Sequence, residues 1–425
     1  MPNESEGSFH SVPGREPGSI ETVLVVHNRY RFAGGEDAVF EAEADLLERH
    51  GHRVHRLLVD NETIPEQLSA ADRARLGLRT VWAGKAAAAV AEHARSVRAD
   101  VVHIHNFLPL LSPAVHGAAR ATGAAVVQTL HNYRLICPAA TLFRDGAPCQ
   151  DCVGRRIALP AIVHACYRDS RSQTAAVTAM LAVHRARGTW HRDVDAFIAL
   201  TEFGRDRFIA GGLPPDRVVV KPNFVNGRDG EEAGDSAERR YADGPFLFVG
   251  RLAPEKGVET LLAAWPRAGG GRSLRIVGDG PLAEQVRTAA EALPAVTVVG
   301  PLSRDAVDRE MRTAAALLFP SVWYEGMPLT LIEAFAAGLP VIASRLGAMA
   351  AMVADGRTGI LVAPGNAGAL AEAITRAATD GPGLAAMGAA ARADYVGTYS
   401  PGPNYARLAD IYRAAVARRR GTAAA

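Results

Sequence analysis

Phe246-Leu-Phe-Val-Gly-Arg-Leu-Ala-Pro-Glu-Lys-Gly257 joins a short apolar run to a glycine and then to two cations, Arg251 and Lys256. The apolar part reads as a strand, and the cations follow its carboxyl end, where open parallel sheets bind ligands. Downstream, Glu325-Gly-Met-Pro-Leu-Thr-Leu-Ile-Glu333 sets two carboxylates eight positions apart across the start of a helix. Pro328 near its first turn and Gly338 beyond its end are the usual helix boundaries. The cationic run suits a diphosphate. The acidic one suits the hydroxyls of a sugar, for which a carboxylate is an efficient acceptor.

Working outward from these runs, apolar segments alternate with helical stretches on both sides. Phe246–Val249, Ser273–Val277, Val296–Val299, Ala315–Phe319, Pro340–Ala343 and Gly359–Val362 predict one doubly wound parallel sheet. Thr22–His27, Arg53–Leu58, Asp100–Ile104 and Ala125–Leu130 predict another, with a helix over Glu36–His50 after the first strand. The expected fold is therefore α/β, two Rossmann-like halves facing across a crevice. Residues 1–19 read as a disordered tail without an apolar signal core, 20–225 as the N-terminal domain, and 245–398 as the C-terminal domain. The stretch 226–244, rich in Gly, Glu, Asp and Arg, reads as a flexible linker. Residues 399–425 read as a helix and tail, with Tyr405, Leu408, Ile411, Tyr412 and Val416 on one face, packing back across the domain junction.

Composition narrows the function. A chain of 425 residues with 48% hydrophobic content is a globular protein of about two domains. A net charge of +2 gives no reason to expect nucleic acid as a partner. No window offers the roughly 20 uninterrupted apolar residues of a membrane span, so a cytoplasmic protein, at most peripheral to a membrane, is expected. Of 47 basic residues only Lys85, Lys221 and Lys256 are lysine. Against that background Lys256, otherwise a surface charge at a helix start, reads as an ammonium kept for a phosphate.

These motifs, with Val102–Pro113 and Gln128–Pro138, resemble the retaining glycosyltransferases of family 4 (glycosyl transferases group 1), which share the GT-B fold. The resemblance runs from Val23 to about Tyr412, and the latter two stretches are similar to a bacterial branch acting on polysaccharides, glycolipids or secondary metabolites. It implies that a hexosyl group moves from a UDP- or GDP-sugar to a hydroxyl of a glycan, lipid or small molecule. No cofactor is expected to be required for catalysis. It further implies that Arg251 and Lys256 hold the diphosphate, that Glu325 contacts the sugar and that Glu333 contacts the ribose. Gly250 would allow close backbone approach, and Gly326, Met327, Pro328 and Leu329 would open the helix toward the phosphates. Gly34 and Gly35 are similar to the family's glycine loop, otherwise a plain turn. His131 is similar to the histidine facing the donor sugar, although a lone histidine is more often structural. Gly278–Pro281 resembles a turn beneath the nucleotide, and the turn containing Leu302 resembles the base-contacting loop. His103 and His105 either flank the cleft or line a strand end.

Cys137, Cys149, Cys152 and Cys166 are separated by eleven, two and thirteen residues. The pair Cys149/Cys152 has metal-ligand spacing, so a structural zinc site is one reading; redox-labile thiols and unrelated packing cysteines are the others. The stretch Val177–Trp190 mixes apolar and basic residues, and would either rest on an anionic bilayer or pack on the N-terminal sheet. Two rival functions are a sugar-nucleotide epimerase of the same fold and a non-catalytic sugar-nucleotide-binding protein. A pyridoxal-dependent phosphorylase is disfavoured by the scarcity of lysine.

Overall fold

The computed structural model describes residues 20–30, 34–65, 67, 69–227, 235–268, 271–293 and 295–423. The expected N-terminal tail lies outside them. Strands β1 (Thr22–Arg29), β2 (Arg53–Asp60), β3 (Val101–Ile104) and β4 (Ala125–Leu130) come first. A small hairpin, β5 (Phe143–Arg144) and β6 (Ala147–Pro148), precedes β7 (Ala196–Ala199) and β8 (Val218–Val220). The second half carries β9 (Phe246–Val249), β10 (Leu274–Val277), β11 (Val296–Gly300), β12 (Ala316–Phe319), β13 (Val341–Ser344) and β14 (Gly359–Val362).

Both six-stranded sheets are wholly parallel, in the orders β2-β1-β3-β4-β7-β8 and β11-β10-β9-β12-β13-β14. Their central strands are buried on both faces, which is why they read as continuous apolar runs rather than alternating ones. The strand order of the second sheet reverses between β9 and β12. The two diagnostic runs leave the carboxyl ends of these strands, so the reversal brings the cations of one beside the carboxylates of the other.

The two halves form the GT-B arrangement. The helix Pro401–Ala423 crosses back from the second half and lays Leu408, Tyr412, Ala415 and Val416 against Val23, Val25, Phe40 and Val127 of the first. Its end is not simply solvated: Arg418 pairs with Asp216 at 2.6 Å, and Arg419 donates to the Arg120 carbonyl at 2.9 Å.

The expected linker differs in part. Asn226 and Gly227 continue an ordered crossing, in which the Gly227 amide donates to the Tyr395 hydroxyl at 2.7 Å. A helix spans Asp235–Asp243. Its Tyr241 is buried in the second core, and Arg240 donates to the carbonyls of Ala337 and Gly338. One aromatic and one guanidinium anchor a segment whose overall composition is polar. Residues 228–234 lie outside the described part.

Candidate active site

The β9 exit is shaped by glycine. A Cβ on Gly278 (φ +142°) would stand 1.9 Å from the Gly250 carbonyl oxygen, and one on Gly280 would stand 2.5 Å from that of Leu252. The turn after β10 therefore seats directly against the run Gly250–Leu252. Gly250 itself has room, since its Cβ would meet only the Phe248 ring at 3.7 Å. The close approach expected of Gly250 is thus provided inside the protein by Gly278 and Gly280, while Gly250 lines the cavity. Gly257, in the left-handed region at φ +70°, turns the chain against Pro320, whose carbonyl oxygen would lie 2.0 Å from any Cβ there. That turn points Lys256 at the segment leaving β12.

Lys256 Nζ lies 2.8 Å from Glu325 Oε1, which also accepts from Ser321 Oγ at 2.9 Å. The ammonium sits 5.2 Å from the centre of the Trp323 ring. Glu325 is buried, so the pair is poorly screened, and another anion reaching Lys256 would compete strongly for it.

The opposite wall comes from the first half. A cavity of about 370 Å³ is lined there by Gly35, Glu36, His131 and Asn132, and from the second half by Gly250, Lys256, Glu325, Gly326, Met327, Pro328 and Leu329. The lobes touch at its floor. The Tyr133 hydroxyl donates to the Glu325 carbonyl at 3.1 Å, and the Asn223 amide lies 3.1 Å from Met327 Sδ. His131 is buried, and burial first, then neighbouring His105, holds its imidazole well below the usual range, so it is neutral.

A second cavity adjoins the first through Val249 and Leu329 and contains Glu333, Leu302, Arg304 and Asp308. Burial raises the Glu333 carboxyl above its ordinary value; Arg304 opposes the rise and Asp308 adds to it. The helix Leu329–Ala336 separates the two acids, with Glu325 before its start and Glu333 on its second turn.

Not every expected residue is brought to these walls. Arg251 is exposed, lines neither cavity and makes no ion pair among the described residues. Gly34 is the exposed cap residue of the helix Gly35–Arg49 rather than part of the wall.

The four cysteines are half-buried free thiols. Burial, with some repulsion from the other three, pushes the Cys152 thiol up to about 11. Among the described residues the one group of three or more potential metal ligands with atoms within 4.8 Å of one another is Glu43, His103 and His105. No three of the four thiols come within that distance of one another, so the structure does not show a zinc site among them. Instead, the Cys149–Cys152 turn carries Gln150 across to Tyr324 of the other lobe, with 3.1 Å between its Nε2 and the hydroxyl.

Sequence reasoning missed Glu36 and Asn132. Their side chains are joined at 2.7 Å, and burial raises the Glu36 carboxyl. Both directly follow residues that were singled out, Gly35 and His131.

Val177, Met180, Leu181 and Trp190 are buried in the first core, so that stretch packs on the sheet. No helix among the described residues is long and apolar enough to cross a membrane.

Comparison with known proteins agrees with this architecture. Residues 34–223 match the "Glycosyl transferase 4-like domain" and residues 244–380 match "Glycosyl transferases group 1". The chain is similar to a phosphatidyl-myo-inositol mannosyltransferase of Mycobacterium leprae, 32% identical over 55% of this chain and 62% of the relative, less than two thirds of its length. It is also similar to a 2-deoxystreptamine N-acetyl-D-glucosaminyltransferase of Streptomyces fradiae, 29% identical over 81% of this chain and 78% of the relative. Among solved structures, Anabaena HepE in complex with UDP superposes with a TM-score of 0.63 at 15% identity, covering 92% of this chain and 99% of that one, which speaks for the fold alone. With one family domain matched in each lobe and the two diagnostic motifs at the strand ends between them, the chain belongs to the GT-B glycosyltransferases of the group 1, family 4-like type.

Proposed function

We propose that this protein is a retaining glycosyltransferase that moves a hexosyl group from a nucleoside-diphosphate sugar to an acceptor hydroxyl. The observation carrying the reading is the pairing of half-buried Lys256 with buried Glu325 where the strand order of the second sheet reverses, in a cavity also walled by His131. In this reading the donor diphosphate takes Lys256 from Glu325, Arg251 swings in from solvent, and the free amides that start the helix at Leu329 complete the anion site. Glu325, released, accepts from sugar hydroxyls. Glu333, whose charge burial disfavours, accepts from ribose hydroxyls, which favour its ionised form.

The C1–oxygen bond to the diphosphate breaks and a C1–oxygen bond to the acceptor forms on the same face. The acceptor's proton passes to the departing phosphate oxygen, whose growing charge Lys256 stabilises. No side chain serves as a covalent nucleophile. The relatives' names support a hexosyl donor and leave UDP and GDP both in play.

Contact with an anionic bilayer is a further part of the reading, favoured by exposed Leu78, Trp82, Ile157, Leu159, Val163 and Val183. They lie on or beside helices that pack together, with exposed Arg155, Arg156 and Arg171 nearby.

Incubation with UDP- and GDP-sugars and candidate acceptors tests the proposal. Transfer releases nucleoside diphosphate and forms a glycoside with the donor's anomeric configuration. A donor at 100 times its Kd also stabilises the fold by about 2.7 kcal/mol. Isomerised donor without diphosphate release would identify an epimerase, and stabilisation without turnover would identify a binding protein.

A further inference from the structure

Beneath His131 lies a chain of buried polar groups that the proposed reaction does not use. His131 Nε2 is 3.0 Å from His105 Nδ1, with the ring planes inclined by only 23° and their centres 5.2 Å apart. On its far side, His105 Nε2 faces Glu43 Oε1 at 3.5 Å. Glu43 Oε2 pairs with Lys221 Nζ at 2.8 Å, and both side chains are only 1% exposed. Lys221 also donates to Asn404 Oδ1 at 2.9 Å, on the crossing helix. His103 completes the cluster, with Tyr412 Oη and Thr129 Oγ1 each 2.8 Å from its two ring nitrogens.

Glu43, His103 and His105 have the spacing of metal ligands. Glu43 Oε2, however, is already paired with the Lys221 ammonium, and both His103 nitrogens have hydroxyl partners, Nδ1 lying also 3.1 Å from Glu43 Oε1.

The proton positions along this chain follow from what each atom can do. Burial works against the Glu43 charge, but Lys221 and His103 outweigh it and hold the carboxyl well below its ordinary range. An ionised carboxylate only accepts. His105 is neutral, its pKa lowered to about 3 first by burial and then by His103. It carries one proton, and with Nε2 turned to a carboxylate oxygen that proton belongs on Nε2. Its Nδ1 then offers a lone pair, and His131 Nε2 at 3.0 Å must be the donor. His131 spends its single proton inward. Its Nδ1, which has no protein partner among the described residues, keeps a lone pair at the cavity wall.

We propose that Glu43, held ionised by Lys221, acts through His105 to fix His131 in the Nε2–H tautomer, so that His131 meets a sugar hydroxyl as an acceptor. This rests on the sugar-site reading of the cavity for its purpose, but not for its test. Glu43, His105 and Lys221 are positioning residues. The contacts of Lys221 with Asn404 and of His103 with Tyr412 make the crossing helix part of the same device.

The test is nitrogen-15 NMR of the full-length protein labelled at histidine, with the His131 signals assigned by their loss in His131→Gln. The wild type at pH 7.5 is expected to show neutral His131 protonated on Nε2. In Glu43→Gln the amide donates to His105 Nε2, the proton of His105 moves to Nδ1, and His131 is expected to switch to the Nδ1–H form. Turnover should fall roughly ten-fold, equivalent to about 1.4 kcal/mol. Glu43→Asp, which keeps the charge, should retain Nε2–H.

If Glu43→Gln does not fold with Lys221 left unpaired, Glu43→Gln/Lys221→Met removes that charge and carries the same expectation. His131 found as Nδ1–H or as a cation in the wild type overturns the proposal. So does a variant without the carboxylate that keeps the Nε2–H form. The expected tautomers in a protein that transfers no sugar would uphold the positioning chain while sinking the reaction.

Discussion

Gly326→Ala probes the interlobe geometry with one added methyl group. Gly326 sits between Glu325 and Met327, and its φ is not in the left-handed region, so alanine adopts the backbone without strain. The new Cβ would nevertheless stand 2.6 Å from the His131 carbonyl oxygen in the other lobe. Ordinary contact begins at 3.4 Å, so the walls must part by about 0.8 Å, given that ordinary side-chain motion cannot move a backbone oxygen aside. The Tyr133–Glu325 hydrogen bond at 3.1 Å spans the same seam and would stretch with it. A misplacement near 1 Å costs on the order of 10²-fold in rate, so kcat/KM should fall roughly 50-fold. The clash lies between lobes rather than within a core, so the thermal midpoint should move by less than about 3 °C. Initial rates of nucleoside diphosphate release, read beside a melting curve, separate the two effects. Wild-type kcat/KM in Gly326→Ala would refute the claim that His131 and Glu325 must approach this closely.

Three other perturbations follow from the same geometry. Lys256→Ala removes the cation proposed to face the diphosphate and leaves Glu325 with only Ser321; transfer should drop at least ~100-fold, and near-normal steady-state turnover would remove Lys256 from the site. Gly278→Ala forces a Cβ to 1.9 Å from the Gly250 oxygen at φ +142°. It should destabilise the second lobe by at least about 2 kcal/mol, and unchanged urea unfolding would contradict the packing of that turn. Acid should weaken the fold before carboxylates titrate. Burial, chiefly, depresses His105 to about 3 and His184 to about 4, and lowers His116 and His131. The unfolded chain takes up these protons near pH 6.5 while the folded one refuses them. Stability is therefore complete above about pH 6.5 and is lost as pH falls, by up to about 1.4 kcal/mol per unit for each imidazole. The raised Glu36 and Glu333 act in the opposite sense. Unfolding free energies from urea titrations at pH 7.5 and 5.5 should differ by at least about 2 kcal/mol, and equal values would rule out buried neutral histidines.

The second lobe was the more legible of the two. Phe246–Val249 and Gly359–Val362 are strands with the bounds read from their apolar runs, because strands covered on both faces leave no polar interruptions. The walls of the candidate cavities were legible where motif and strand end coincide, as at Lys256, Glu325 and Glu333. It was not legible where a residue acts through partners distant in the chain. Glu43 looks like any helical glutamate until Lys221, His103 and His105 surround it. Lys221 did carry a signal, being one of only three lysines in an arginine-rich chain, the same rarity that marked Lys256. Tyr241 was hidden for the opposite reason: the averaged composition of its segment outweighed one aromatic whose burial orders the helix. Arg251 shows that a motif names a side chain but not where it points.

The crossing helix has a consequence for biosynthesis. Tyr412 reaches its hydroxyl partner His103 across 309 positions of sequence, and Asn404 reaches Lys221 across 183. While the ribosome is still translating the second lobe, the first has a bare apolar flank and a buried ammonium lacking one of its acceptors. The domain that emerges earliest is thus finished last. Fragments cut between the lobes should be aggregation-prone, and the nascent polypeptide has reason to engage a chaperone until residues 401–423 have emerged.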